Sequence, residues 1–149
     1  MLPSARCSSG THARRTGRSF HAVSATLVVK SYDEAKAWYV DRLGFTLMED
    51  TDLGGGRRWL VVSPGAGGAD MLLAEAKNDC ERAAIGNQTG GRVLMFFHTD
   101  DFARDQAAML AKGVTFREAP RHETYGTVAV FEDLYGNLFD LIERKAPAA

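Results

Sequence analysis

The chain has 149 residues, 45% of them apolar and 25% charged, the make-up of one ordinary folded core rather than of a low-complexity or fibrous chain. It holds no run of 18 apolar residues, which argues against a helical membrane span. The net charge of −1 hides an excess of +4 over residues 1–20, which leaves −5 on the rest; that remainder has no basic surplus to neutralise phosphates, so nucleic acid is excluded as the main partner.

Residues 1–20 carry Arg6, Arg14, Arg15 and Arg18 among Ser and Gly, with almost nothing apolar to bury. They lack the hydrophobic stretch of a secretory signal and are expected to form a disordered basic extension outside the fold. Arginines and serines without acids also suit an organellar targeting segment, although Pro3, Gly10 and Gly17 interrupt an amphipathic helix. Two cysteines, Cys7 and Cys80, cannot build a disulfide framework and are read as reduced thiols, which points to the cytoplasm.

From His21 an apolar strand runs to Lys30, and Ser31-Tyr32-Asp33-Glu34 then forms an S-x-x-E capping box at a helix start. Ala35, Trp38, Tyr39 and Leu43 fall on one helical face, and Gly44 suits the residue after the helix. Strands are predicted near Phe45–Met48, Trp59–Val62 and Met71–Ala74, separated by the turns Asp52–Gly56 and Gly65–Gly68. Gly54-Gly55-Gly56 precedes Arg57-Arg58-Trp59 rather than the Gly-Lys-Ser/Thr of a phosphate loop, so it reads as a hairpin turn, with Arg57 and Arg58 as solvated rim charges.

A shift of 69 residues repeats the pattern: Ser31 lands on Asp100, another N-cap type, and Gly44 on Gly113. A strand at Val93–His98 precedes the second helix, and further strands are predicted near Val114–Arg117, Tyr125–Phe131 and Leu138–Ile142, the last two joined by the turn Asp133–Asn137. Each half reads βαβββ and cannot bury its sheet alone, so both should share a core. The expected organisation is α+β, one domain over 21–146: a module at about 21–76, a polar connector at about 77–91 and a module at about 92–144.

Paired βαβββ modules with Trp38-Tyr39 before Leu43-Gly44-Phe45, and Tyr125-Gly126-Thr127-Val128-Ala129-Val130-Phe131 leading into the Asp133–Asn137 turn, resemble the vicinal oxygen chelate superfamily. That group includes glyoxalase I, extradiol dioxygenases, fosfomycin-resistance enzymes and bleomycin-resistance proteins. The resemblance implies cupped mixed sheets, a homodimer, and in metal-using members four ligands from the first and last strands of each module. In this chain those positions fall on Ser24, Leu72, Val93 or Leu94, and Asp140, of which only Asp140 is a good donor. No metal or other cofactor is therefore expected. His98, His122 and Glu123 are the remaining donors near the same region.

Strand alternation lists the cup's lining: Ser24, Thr26 and Val28 from the first strand, Leu94, Phe96 and His98 from the fifth, Leu72 and Asp140 as floor, and Trp59 and Tyr125 as aromatic walls. A carboxylate between Phe139 and Leu141 must be hydrogen-bonded to Ser24 or Tyr125, paired with an arginine, or carry a raised pKa. The leading expectation is a metal-independent binder of a small organic molecule. An enzyme using Asp140, with His98, for proton transfer and a metal-dependent glyoxalase-type lyase are the alternatives.

Overall fold

A computed structural model of the protein describes residues 20–65 and 67–146. The expectations for the basic extension thus lie outside the described residues, apart from Phe20. In chain order the elements are β1 (Ser24–Val29), α1 (Tyr32–Asp41), β2 (Thr46–Gly54), β3 (Arg57–Ser63), β4 (Asp70–Glu75), α2 (Asp79–Ala84), β5 (Val93–His98), α3 (Phe102–Ala111), β6 (Thr115–Phe116), β7 (Arg121–Glu123), β8 (Gly126–Glu132) and β9 (Leu138–Arg144). They form two mixed sheets, β1-β4-β3-β2 and β5-β9-β8-β6, with β7 also paired to β8. The first strand of each half runs parallel to its last, and the other pairs are antiparallel. Among the described residues, no helix is long and apolar enough to cross a membrane.

The capping box forms, with one arm rerouted. Ser31 Oγ accepts from the Glu34 amide at 3.4 Å, as a cap should. The Ser31 amide, however, donates to the Tyr135 hydroxyl at 3.4 Å, and that hydroxyl donates to Glu34 at 3.1 Å. A tyrosine from the second half thus stands between the two members of a local motif. The helix of the second half, α3, is capped one residue later than expected: Asp101 Oδ1 accepts from the Arg104 amide at 3.0 Å, while Asp100 pairs with the Arg104 side chain at 2.5 Å. The true repeat of the caps is Ser31 to Asp101, and the shorter helix-to-strand loop at Gly113 makes up the difference.

The two halves do share a core. Leu27, Val29, Ala35, Tyr39, Leu60 and Leu73 of the first pack in one cluster with Phe102, Val114, Phe131 and Phe139 of the second. Half-buried Phe97 packs against this cluster, with ring centroids 5.6 Å from Phe45 and 5.4 Å from Phe139. The Tyr39 hydroxyl crosses this junction and donates to Asp133 Oδ2 at 2.6 Å. Asp133, only 4% exposed, also accepts from the Tyr135 and Asn137 amides and from Asn137 Nδ2, each at 2.9 Å. Burial and the adjacent carboxylate push the Tyr39 phenol well above its ordinary value. Gly86 lies against the same turn with φ +73°, and a Cβ there would come within 2.1 Å of the Tyr135 carbonyl oxygen, so only glycine fits.

Tertiary contacts correct one expectation and give order to two polar stretches. The polar connector contains α2, which Asn78 caps by accepting from the Glu81 amide at 2.8 Å. Gln88 then donates to the Val28 carbonyl at 3.0 Å and accepts from the Val28 amide at 3.3 Å, covering the free edge of β1. Between β6 and β8 the polar segment Arg121–Glu123 forms β7, held by pairing to β8. Arg58 is not a solvated rim charge: it is half-buried, bonds Asp50 and Asp33 at 2.7 Å, and lies 5.2 Å from the Tyr32 ring centroid. With Lys36 it holds the Asp50 carboxyl down at about 2.

Tyr39→Phe removes the shortest donor to Asp133 and leaves a buried carboxylate oxygen short of a partner. The expected loss is about 1–3 kcal/mol of unfolding free energy, read from urea denaturation at neutral pH.

Candidate functional site

Each sheet has a core side and an open side. Leu27, Val29, Leu60, Val62, Met71 and Leu73 enter the shared core, so alternation turns Ser24, Thr26, Val28, Trp59, Val61 and Leu72 the other way. Register confirms the row: Thr26 stands opposite Leu72, and Leu72 opposite Val61. In the second sheet the corresponding row is Phe96, Asp140 and Val130, followed along the strands by His98, Ile142 and Val128. Leu72 and Asp140 therefore hold equivalent positions in the two halves. Leu94 departs from the expected lining. The β5–β9 register slips between Val93 and Met95, and Leu94 packs against the core beside Met95 and Phe97.

The open faces are apolar and unevenly exposed, with Val61, Val128 and Ile142 buried. Phe96 is 57% exposed, and Trp59 and Tyr125 are each 43% exposed. Ser24, Thr26 and His98 are exposed as well. Thr26, Leu72 and Trp59 belong to one sheet and Phe96, His98 and Asp140 to the other. Tyr125 lies just before β8, where its carbonyl accepts from the Lys145 amide at 2.9 Å.

Asp140 is the exception to an otherwise ordinary surface. It is 9% exposed, and its Oδ1 is buried without a hydrogen-bond partner. Among the described residues neither Ser24 nor Tyr125 reaches it and no arginine forms an ion pair with it. The third of the three outcomes allowed for this carboxyl is the one found. Burial raises its pKa first of all; the Arg121 charge opposes the rise and Glu118 adds to it. Arg121 itself is held by Glu118 at 2.9 Å and Glu123 at 3.0 Å. Arg121, the first residue of β7, and Glu118, which accepts from the Val130 amide at 3.1 Å, were missed as neighbours of Asp140 because β7 is a strand of three residues with no alternating pattern to read.

The other donors do not gather around it. Glu123 is taken by Arg121, and His122 Nδ1 lies 3.2 Å from Thr127 Oγ1. Among the described residues no three His, Cys, Asp or Glu side chains converge as a metal-binding group. What the site can do is accept a hydrogen bond or a proton at one carboxyl set in an apolar surface.

The paired βαβββ sheets define an α+β fold of the glyoxalase and bleomycin-resistance kind. The chain belongs to the Glyoxalase/Bleomycin resistance protein/Dioxygenase superfamily, whose family model matches residues 20–141. A protein of Shewanella frigidimarina (strain NCIMB 400) is 51% identical over 123 residues, covering 81% of this chain and 91% of that protein. The structure of UcmS2 matches with a TM-score of 0.74 at 28% identity, covering 85% of this chain and 99% of that one. TnmS3, an antibiotic binding protein from Streptomyces sp. CB03234, matches with a TM-score of 0.67 at 26% identity, covering 85% and 97%.

A carboxyl whose folded pKa lies above its ordinary 3.8 stabilises the fold fully below that pH and ceases to do so as pH rises through the folded value. Asparagine mimics the neutral form at every pH. Asp140→Asn is therefore expected to match the wild type at pH 3.5 and to be the more stable of the two at pH 7, with urea midpoints at both pH values as the readout.

Proposed function

We propose that this protein binds a small organic molecule against its open sheet faces, with Asp140 as the polar anchor and no catalytic metal. The observation that carries the reading is the buried, unpartnered Asp140 Oδ1 beside exposed Phe96, a polar group awaiting a donor in an apolar surface. The same need for a donor favours ligands bearing an N–H, O–H or cationic group over purely apolar ones. The likeness to TnmS3, an antibiotic binding protein, supports a binding role.

The residues at the superfamily's metal positions do not fit a divalent ion. Ser24 offers a neutral alcohol, Leu72 and either Val93 or Leu94 offer hydrocarbon, and only Asp140 offers a charged oxygen. A glyoxalase-type lyase routed through a metal is the reading these residues favour least. An enzyme that uses Asp140 to move a proton is the second reading, favoured by the raised pKa of a carboxyl set in an apolar surface. His98 lies on the same face opposite Ile142, where it would be a partner for a bound substrate rather than for Asp140 itself.

A homodimer completes the proposal. The exposed Trp59 and Phe96, together with Met48 at 56% and Leu53 at 49% exposure, make faces that a second copy would roof. The exposed, free Cys80 suits a reducing cytoplasmic setting.

Thermal-shift screening of cationic and hydroxylated aromatic compounds, with and without a chelator, tests the binding reading. A hit whose stabilisation persists in chelator and whose affinity falls about tenfold in Phe96→Ala supports it; dependence of every hit on added metal overturns it. Turnover of the hit, abolished in Asp140→Asn, would move the assignment to the second reading. Light scattering on Trp59→Asp and Phe96→Asp checks the dimer, with a shift towards monomer expected.

A further inference from the structure

The internal repeat creates two junctions between the halves, and only one of them is filled. At the filled junction the turn from Asp133 to Asn137 lies against α1, fastened by the Tyr39–Asp133 bond and by the Tyr135 hydroxyl at Ser31 and Glu34. Trp38 stacks edge-on against Tyr39 there, with ring centroids 5.0 Å apart. Superposing the caps Ser31 and Asp101 places Ala108 where the first half has Trp38, and Met109 where it has Tyr39. Superposing the strand pairs Val61–Leu72 and Val130–Asp140 places Pro64 where the second half has Asp133.

The second junction thus lacks the indole, the phenol and the carboxylate at once. A thioether cannot donate and a proline ring cannot accept, so the counterpart of the Tyr39–Asp133 bond cannot form. In its place is a cavity of about 600 Å³ between α3, β5, the C-terminal end of α1 and Pro64. That is the size range of small-molecule sites. Its floor is apolar, built by Phe45, Phe97, Phe131 and Leu141. Its lining also includes Arg42 and Lys112, both exposed and neither in an ion pair among the described residues. Asp105, the acid of the lining, is already bonded by Arg104 at 3.0 Å and by the Thr99 hydroxyl.

We propose that this cavity, which meets the open face of the second sheet at Phe96 and His98 but is not lined by Asp140, is a second binding site and that it takes an aromatic carboxylate. The ring would occupy the volume that Trp38 and Tyr39 fill in the other junction. The carboxylate would restore the negative charge that Asp133 supplies there, at the mouth where the Lys112 ammonium has no ion-pair partner among the described residues and Arg42, whose Nη1 donates to the Lys112 carbonyl, keeps its remaining N–H groups for a ligand. The internal repeat specifies the chemistry of the missing piece, and the rim supplies the charge to hold it.

Isothermal titration of the full chain with 1-naphthoate, and with the neutral 1-naphthalenemethanol, tests this site. Naphthoate is expected to bind once per chain and at least fivefold more tightly than the alcohol at low salt, an advantage that shrinks as salt screens the rim charges. Lys112→Glu, at an exposed position, should weaken naphthoate at least fivefold with an unchanged melting temperature. Ala108→Trp should abolish binding by filling the cavity, whereas Asp140→Asn should leave it intact. Equal affinity for acid and alcohol, indifference to Lys112→Glu and Ala108→Trp, loss in Asp140→Asn, or no binding of naphthoate would each overturn the proposal.

Discussion

The bond from the Tyr39 hydroxyl to Asp133, at 2.6 Å, ties α1 of one half to the final turn of the other inside a shared core. Neither helix face nor either sheet could bury its apolar side alone, so the architecture depends on the halves meeting in one orientation. Hydrocarbon packing alone is non-directional and tolerates sliding. A buried phenol facing a buried carboxylate does not, because any displacement leaves a polar group unpaired. Tyr135 and Gly86 then complete the fit around the same turn.

Asp133 and Asp140 make an instructive pair. Both are buried aspartates in the second half, at 4% and 9% exposure. Asp133 accepts four hydrogen bonds, from Tyr39, Tyr135 and twice from Asn137, and acts as structural cement. Asp140 stands between Phe96 and Val130 with one oxygen unpartnered. Removing a carboxylate from water without supplying donors costs free energy that the fold must find elsewhere, and such cost concentrates where a ligand or proton can relieve it. The contrast lies in surroundings, since the residue type is the same.

The repeat also separates what the two halves retain from what they have exchanged. Cap, crossover helix, parallel first-and-last strand pair and sheet order recur in both. The side chains at the two junctions do not: Tyr39 and Asp133 on one side correspond to Met109 and Pro64 on the other. Duplicated backbone with unequal filling yields one sealed junction and one cavity, as close packing requires when large side chains give way to small ones.

Much of this was legible without coordinates because it is local. The cap at Ser31, the glycines after each helix, the alternation that sends Leu27 and Val29 inward, and the equivalence of Leu72 with Asp140 follow from spacings and backbone sterics within a few residues. Tertiary structure alone decided the rest. A one-residue slip between Val93 and Met95 turned Leu94 to the core, pairing with β8 made a strand of Arg121–Glu123, and Gln88 closed the edge of β1. That Asp140 is left without a donor, and that one junction is open, depend on which distant side chains arrive. Periodicity records the face on which a residue lies; it carries no information about what meets that face, because the partners come from chain segments tens of residues away.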